Sequence, residues 1–303
     1  MNKAVTHRDL ERFAKRTQKQ IELAQKALER PLPKGLVPMH TVLKAGKSGN
    51  AELQIYELSQ FEAAKYNLAQ AIGSTPEMVI HPGKYVRLLV DNELMMTDAP
   101  HEAQSNRDII EGAKGHVLIA GLGLGMILIP ILLKQKVKSV TVVEKSQGVI
   151  NLVRPALQKW REHQGVIGAK PAPLTIVHAD VETWVPALPL KWDVIYLDIW
   201  PTIDTRNLPQ IAKLKRGYRK YLSPGGWLGV WVEKMIQKRR RYENSLIKQA
   251  KEFRAYINDA DTPEERARRK SVLFGVMYGD PKTKIHKQAK AAMEKVIKKG
   301  KKQ

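Results

Sequence analysis

Three glycines spaced two apart, Gly121, Gly123 and Gly125, directly follow the apolar run HVLIA (116–120) and open a segment of helical character. Glycine is needed where the backbone takes a positive φ or where a ligand lies flat against it. A second apolar run, SVTVVE (139–144), ends in the acid Glu144. A carboxylate at such a strand end, beside a glycine turn, can accept both ribose hydroxyls of a nucleoside laid across the sheet. A third run, LTIVHA (174–179), is followed by Asp180 and Val181, which suit an adenine amino group and an apolar wall next to it. A fourth, DVIYLD (193–198), likewise ends in an acid, Asp198. Plainer readings exist for the same residues: a tight turn at the glycines, a surface glutamate at 144, and a helix cap at Asp180.

Such residues act together only if strands and helices alternate to bring them to one edge. The intervening segments do read as helical, notably SQGVINLVRPALQKW, and GWLGVWV (226–232) supplies a fifth strand. The pattern predicts an α/β fold, a doubly wound, mainly parallel sheet of the Rossmann-like kind. The stretch from His116 to Leu133 is uncharged over 18 residues. It reaches the length that raises a membrane span, but its glycines and Pro130 make strand, turn and helix the better reading. Ahead of it, residues 7–30 read as a charged amphipathic helix stopped by Pro31 and Pro33. Residues 31–97 read as short alternating runs, with VRLLVD and ELMMTD forming a hairpin about Asn92, and residues 99–113 as a helix. Beyond Lys234 the pattern is basic and helical, with SVLFGVMY (271–278) as a returning strand or buried helix and a lysine-rich tail from Lys282. The expected organisation is an N-terminal helix (1–33), a small β-rich unit (34–98), a nucleoside-binding domain (99–235) and a basic helical extension with its tail (236–303).

A dinucleotide-binding fold shares the first of these signals. Here the spacing is G-x-G-x-G, and Met126 stands where the third small residue of G-x-G-x-x-G belongs. The glycine turn, Glu144, Asp180, Asp198 and the turn in LSPGGWLGV (222–230) together resemble class I adenosylmethionine-dependent methyltransferases over residues 116–232. The resemblance implies S-adenosylmethionine as cofactor. Gly121, Leu122, Gly123 and Gly125 would approach its methionine and ribose parts, Glu144 with Lys145 beside it would hold the ribose, and Asp180 and Val181 would read the adenine. Asp198 would face the transfer site as the catalytic group, or would only contact the methionine amino group.

Within that superfamily the chain is most similar to the spermidine synthase branch, and to uncharacterised methyltransferase-like proteins of bacteriophage and bacteria described as spermidine-synthase-like. TDAPHEAQSNRDII resembles the branch's "Y-H-E" helix, which makes Asp98, His101 and Glu102 candidates for the substrate pocket, along with Trp200 and Asp204 in DIWPTID. Two departures bear on the chemistry. The aminopropyltransferases carry an acid in the glycine turn, where this chain has Leu124, and another just before the proline of the fourth-strand motif, where it has Trp200 before Pro201. Both missing carboxylates would face cations, and an unpartnered buried ammonium costs several kcal/mol. These changes favour adenosylmethionine over its decarboxylated form, and so methyl transfer over polyamine aminopropyl transfer, although Asp204 is placed to replace one of the lost acids.

Composition sets outer bounds. Of 303 residues, 43% are hydrophobic, enough for a full core, and cysteine is absent, which excludes disulfides, thiolate metal sites and a cysteine nucleophile. The eight histidines show no H-x-x-x-H spacing, so no metal is expected. AGKS (45–48) lacks the earlier glycine of a phosphate loop, and no G-x-S-x-G elbow is present. DIWP replaces the proline-proline-aromatic signature of amino-directed base methyltransferases, which lowers DNA base methylation and leaves a small-molecule or nucleic-acid acceptor open. The N-terminus has no apolar core of a signal peptide, so the cytoplasm is expected and no membrane. A homodimer follows only by analogy with the family. The net charge of +22 is concentrated late: residues 211–303 hold 26 lysines and arginines against 9 acids. Such a block is either a solvated helical face or the footprint of a polyanion partner, and a non-enzymatic nucleic-acid-binding or assembly protein on this fold is the third reading.

Overall fold

In the computed structural model, residues 7–72, 78–186, 191–202, 204–231, 233–258 and 262–266 are described. Residues 1–233 form one compact unit, and a second begins at Lys234. The expected strand or helix at 271–278 and the tail from Lys282 lie outside the described residues.

The first unit holds two sheets. After helix α1 (His7–Glu29), strands β1 (Gly46–Ser48), β2 (Ala51–Leu58), β3 (Gly83–Val90) and β4 (Glu93–Thr97) make an antiparallel meander in that order. The expected hairpin about Asn92 is present. Asp91 and Asn92 both take positive φ, 53° and 63°, and Val90 pairs with Glu93 across a two-residue turn. Such a turn matches the twist of the flanking strands, and short polar residues tolerate it.

Helix α2 (Gln60–Ile72), between β2 and β3, has no counterpart in the strand-only reading of residues 31–97. Its signal was nonetheless present in SQFE. Ser59 Oγ accepts the Glu62 amide at 3.2 Å, while the Glu62 carboxylate accepts the Ser59 amide at 2.8 Å, a reciprocal capping box. Its Ala71 joins Ala24 of α1 and Val79 in a small apolar cluster.

The single helix expected over 99–113 is two short ones, α3 (Pro100–Ser105) and α4 (Arg107–Gly112), broken at Asn106. The cause is a buried polar side chain. Asn106 is 2% exposed, its amide donates to the Glu102 carbonyl, and its Oδ1 accepts the Tyr196 hydroxyl at 2.8 Å.

Strands β5 (Gly115–Ala120), β6 (Val137–Glu144), β7 (Leu174–His178), β8 (Trp192–Leu197) and β9 (Leu222–Val230) form a wholly parallel sheet ordered β7-β6-β5-β8-β9. This is the expected doubly wound, Rossmann-like α/β arrangement, with the small β-rich unit before it. Helices α5 (Leu128–Leu132), α6 (Gln147–Val166) and α7 (Leu208–Arg219) lie in the connections. The uncharged run from His116 to Leu133 is thereby strand, turn and short helix, and among the described residues no helix is long and apolar enough to cross a membrane. The second unit's described part is chiefly the basic helix α8 (Glu233–Asn258), which starts from the last residue of the first.

The two sheets share one core, in which Leu53, Val86 and Leu88 of the meander join Val117, Ile119 and Val194 of the parallel sheet. Asp98 ties β3 to the segment ahead of β1. Its carboxylate accepts the Met39 amide at 3.0 Å and the Val86 amide at 2.7 Å, and burial holds its pKa above the usual carboxylate value in spite of those bonds. Asp98→Ala orphans two inward-facing donors. At about 1–3 kcal/mol each, unfolding in urea should show a loss of about 2–6 kcal/mol.

Candidate functional site

In a doubly wound sheet the strand order reverses at one point, and the carboxyl ends of the strands part there to leave a crevice. Here the reversal lies at β5, between β6 and β8. Ala120 is in register with Val143 and Leu197, and Glu144 with His178, so Gly121, Glu144, Asp180 and Asp198 all come to the same edge. A cavity of about 790 Å³ opens there. This is within the usual range for a small-molecule or cofactor site.

Each element of the glycine turn meets a different neighbour. Gly121 has φ 96°, and a Cβ on it would stand 2.0 Å from the Asp198 carbonyl, so β5 and β8 approach as they do only with glycine there. Gly123 has φ 49°, and a Cβ would stand 2.3 Å from Met96 Sδ, which also accepts the Leu124 amide at 3.3 Å. The close approach at Gly123 is thus made by a methionine of the meander's last strand. Gly125 faces Val153 and Leu157 of α6 and does not line the cavity. Leu124 is fully buried in the core and also does not line it, so the missing acid of the turn is not replaced by an apolar cavity surface.

Glu144 bridges the turn and the next helix. One oxygen accepts the Leu122 amide at 2.8 Å and the other the Ser146 amide at 2.7 Å. A carboxylate has about four acceptor sites, so two bonds fix its orientation and leave capacity for two hydroxyls. Lys145 and Asp180 pair with each other at 2.9 Å. Asp180 also accepts the Glu182 amide at 2.9 Å, and the Lys145 hydrogen bond, first, holds its pKa below the usual carboxylate value. Lys145 is the only lysine or arginine among the described residues lining the cavity.

Asp198 and Glu102 also line the cavity, as partly buried carboxyls close enough to repel. Burial, then the Glu102 charge, pushes the Asp198 pKa up to about 8, and burial pushes that of Glu102 up to about 7. Glu102 is carried by α3, which is tied to the strand ends twice. Asn106 receives the Tyr196 hydroxyl of β8, and Ser105 Oγ accepts the Trp231 indole N–H at 3.0 Å just beyond β9. The Trp200 indole, 6% exposed, donates to Gln210 Oε1 at 2.6 Å. Trp200, Trp231, Met95 and Met96 line the cavity as well.

Of the sequence-predicted residues, Gly121, Leu122, Gly123, Glu144, Lys145, Asp180, Val181, Asp198, Glu102 and Trp200 line one cavity. Gly125, Asp98, His101 and Asp204 do not. His101 lies beside Glu102, with 3.9 Å between its Nε2 and Glu102 Oε1, and its Nδ1 is buried without a partner. Asp204 caps the turn at Thr205–Asn207 and pairs with Arg206. Sequence reasoning passed over Met95, Met96, Asn106, Trp231 and the two hairpin turns at Gly49–Asn50 and Asp91, which also reach the cavity. In those turns Asn50 Nδ2 donates to the Asp91 carboxylate at 3.0 Å. Only Trp231 carried a signal, an aromatic residue at a predicted strand end.

No protein-family model matches the chain, and no curated protein matches it. Among solved structures it is similar to the spermidine synthase of Thermotoga maritima, at 15% identity over 60% of this chain and 52% of that one, with a TM-score of 0.34. It is also similar to the N-methyltransferase NodS of Bradyrhizobium japonicum WM9, at 16% identity over 41% and 62% of the two chains and a TM-score of 0.31. A third likeness is to the CcbJ methyltransferase of Streptomyces caelestis, at 17% identity over 42% and 47%, again with a TM-score of 0.31. The chain spans less than two thirds of the length of each.

Two predictions arise from these contacts. Gly123→Ala should lower the melting temperature, and Met96→Ala in the same chain should recover part of the loss by making room. Additive losses in a double-mutant cycle would remove the contact from the account. For the acid pair, folded pKa values above the ordinary ones mean that the folded state binds more protons than the unfolded one between about pH 4 and pH 8. Its contribution to stability is then full below that window and lost as pH rises through it. Glu102→Gln with Asp198→Asn should flatten the pH dependence of urea unfolding over the same range.

Proposed function

We propose that the chain is an adenosylmethionine-dependent transferase that alkylates an amine, with methyl transfer as the first reading. The observation that carries it is Glu144, held by the Leu122 and Ser146 amides at the reversal point of the sheet with acceptor capacity left over. The cavity's size and the acids on its edge fit a nucleoside cofactor with a cationic centre. When bound, adenosylmethionine supplies an alkyl group on a sulfonium. Glu144 would hold the ribose, Asp180 and Val181 the adenine, and the backbone at Gly121–Gly123 would pass beneath the remainder.

Asp198 and Glu102 then act on the acceptor. A pair of partly buried acids with raised pKa values keeps a proton near neutrality and gives it up to admit a cation. An incoming ammonium is attracted by the pair and by the faces of Trp200 and Trp231, and it loses a proton to the carboxylate of Asp198 before its nitrogen can react. The indoles, each tethered through its N–H, exclude water and fix the direction of approach.

A second reading, aminopropyl transfer from the decarboxylated cofactor, is favoured by one specific observation. Six acids line the cavity and Lys145, already paired with Asp180, is the sole lysine or arginine among the described lining residues. A cofactor without a carboxylate fits that charge. The Trp200 side chain, in place of the acid expected of an aminopropyltransferase, favours the first reading.

Calorimetric titration with adenosylmethionine and, separately, its decarboxylated form distinguishes the two. The first reading expects tighter binding of adenosylmethionine and at least a tenfold loss in Glu144→Ala. Preference for the decarboxylated form selects aminopropyl transfer. Binding of neither form, or unchanged affinity in Glu144→Ala, overturns the transferase assignment.

A further inference from the structure

The basic helix α8 belongs to none of the chemistry above. It runs 26 residues from Glu233 to Asn258, about 39 Å at 1.5 Å per residue. Arg240, Arg241, Lys248 and Lys251 are all exposed. At about 100° of rotation per residue they fall within one sector of about 100°, and they span about 16 Å along the axis. Duplex nucleic acid carries one charge per about 1.7 Å of axis over both strands, so about ten phosphates fall within 16 Å and about half of them face a helix laid along it. Four cations against about five anions is close to matched charge.

The neighbouring acids leave this row net positive. Glu243 lies on another side of the helix and pairs with Arg239 at 3.2 Å. Glu233 pairs with Lys215 at 2.8 Å, a helical turn and more before Arg240. Glu252 falls by its spacing at the edge of the sector, one turn beyond Lys248. The row holds two arginines, whose planar fork takes phosphate oxygens in pairs, as well as two lysines acting as point charges.

A lipid surface is the other polyanion a basic helix meets, and it requires a broad apolar face next to the cations. The consecutive run Arg239, Arg240 and Arg241 turns through about 200° of the helix surface, and all three are exposed. Among the described side chains of α8 the exposed large hydrophobics are Met235 and Ile247, about 18 Å apart along the axis, too sparse for such a face.

We infer that α8 is a binding surface for the phosphodiester backbone of nucleic acid, read by charge and spacing and not by base sequence. The inference is independent of what the cavity binds. Neutralising four phosphates gives a slope of log affinity against log salt of about −3.6 on duplex DNA and about −2.8 on single strands.

The test uses the full chain and labelled 20-base probes of unrelated sequences, as duplex DNA, duplex RNA and single-stranded RNA, with fluorescence anisotropy from 50 to 300 mM salt; these conditions are chosen on the order of the usual range for phosphate contacts. The variant replaces Arg240, Arg241, Lys248 and Lys251 by Gln, which keeps helix propensity. Expected are binding with little sequence preference, at least a tenfold loss in the variant near 100 mM salt, and a salt slope shallower by about 3. The ordering of the three probes identifies which nucleic acid is preferred. The inference is overturned if the wild type binds none of the probes, if it binds only anionic phosphatidylserine vesicles, or if the variant keeps the wild-type slope. Should the variant not fold by circular dichroism, protection of Lys248 and Lys251 from acetylation by bound probe in the wild type decides: protection supports the surface, and none overturns it.

Discussion

The fold turns on the close passage of β5 and β8 where the parallel sheet reverses. All five strands end on the same side, so every loop that follows a strand meets there. At the reversal the backbone of Gly121 runs against the carbonyl of Asp198 with no room for a side chain. That contact sets the spacing of the crevice. It carries the glycine turn on one flank and the acid of β8 on the other, while the register of β6 and β7 brings Glu144 and Asp180 to the same height.

The cavity is electrostatically opposite to the chain that surrounds it. A protein with a net charge of +22 lines this cavity with acids. Outside, lysine and arginine stand in water, where charge costs little. Inside, two carboxyls are partly withdrawn from water, and their raised pKa values express the free energy of keeping charge there. The anchors of α3 explain how such a pair persists. Asn106 and Ser105 satisfy Tyr196 and Trp231 across three elements, so α3, which carries Glu102, cannot move away without breaking these hydrogen bonds.

Much of this was legible in the sequence because the parallel sheet writes itself locally. Buried strands read as apolar runs, and the residue after each run falls at the ligand edge, which is how Glu144, Asp180 and Asp198 are found without coordinates. What was not legible depends on contacts between distant segments. Nothing about Met96 in ELMMT tells that its sulfur rests on Gly123. Nor does Leu124 announce that it faces the core, so a charge argument built on the turn's sequence applied to a position away from the cavity surface. Asp98 reads as a pocket acid beside His101, yet its oxygens are taken by the backbone amides of Met39 and Val86. By contrast α2 was missed although SQFE held its capping box, because the alternation around it drew the eye to strands.

The pairing of β5 with β8 also has a cost in time. Val117 pairs with Val194, so one edge of the central strand waits for a partner that is synthesised 77 residues later. At a translation rate of about 5–20 residues per second this is roughly 4–15 s during which an uncharged run beginning at His116 has emerged with one flank open. The nascent chain therefore holds this uncharged run with an unpaired strand edge until β8 has emerged to cover it.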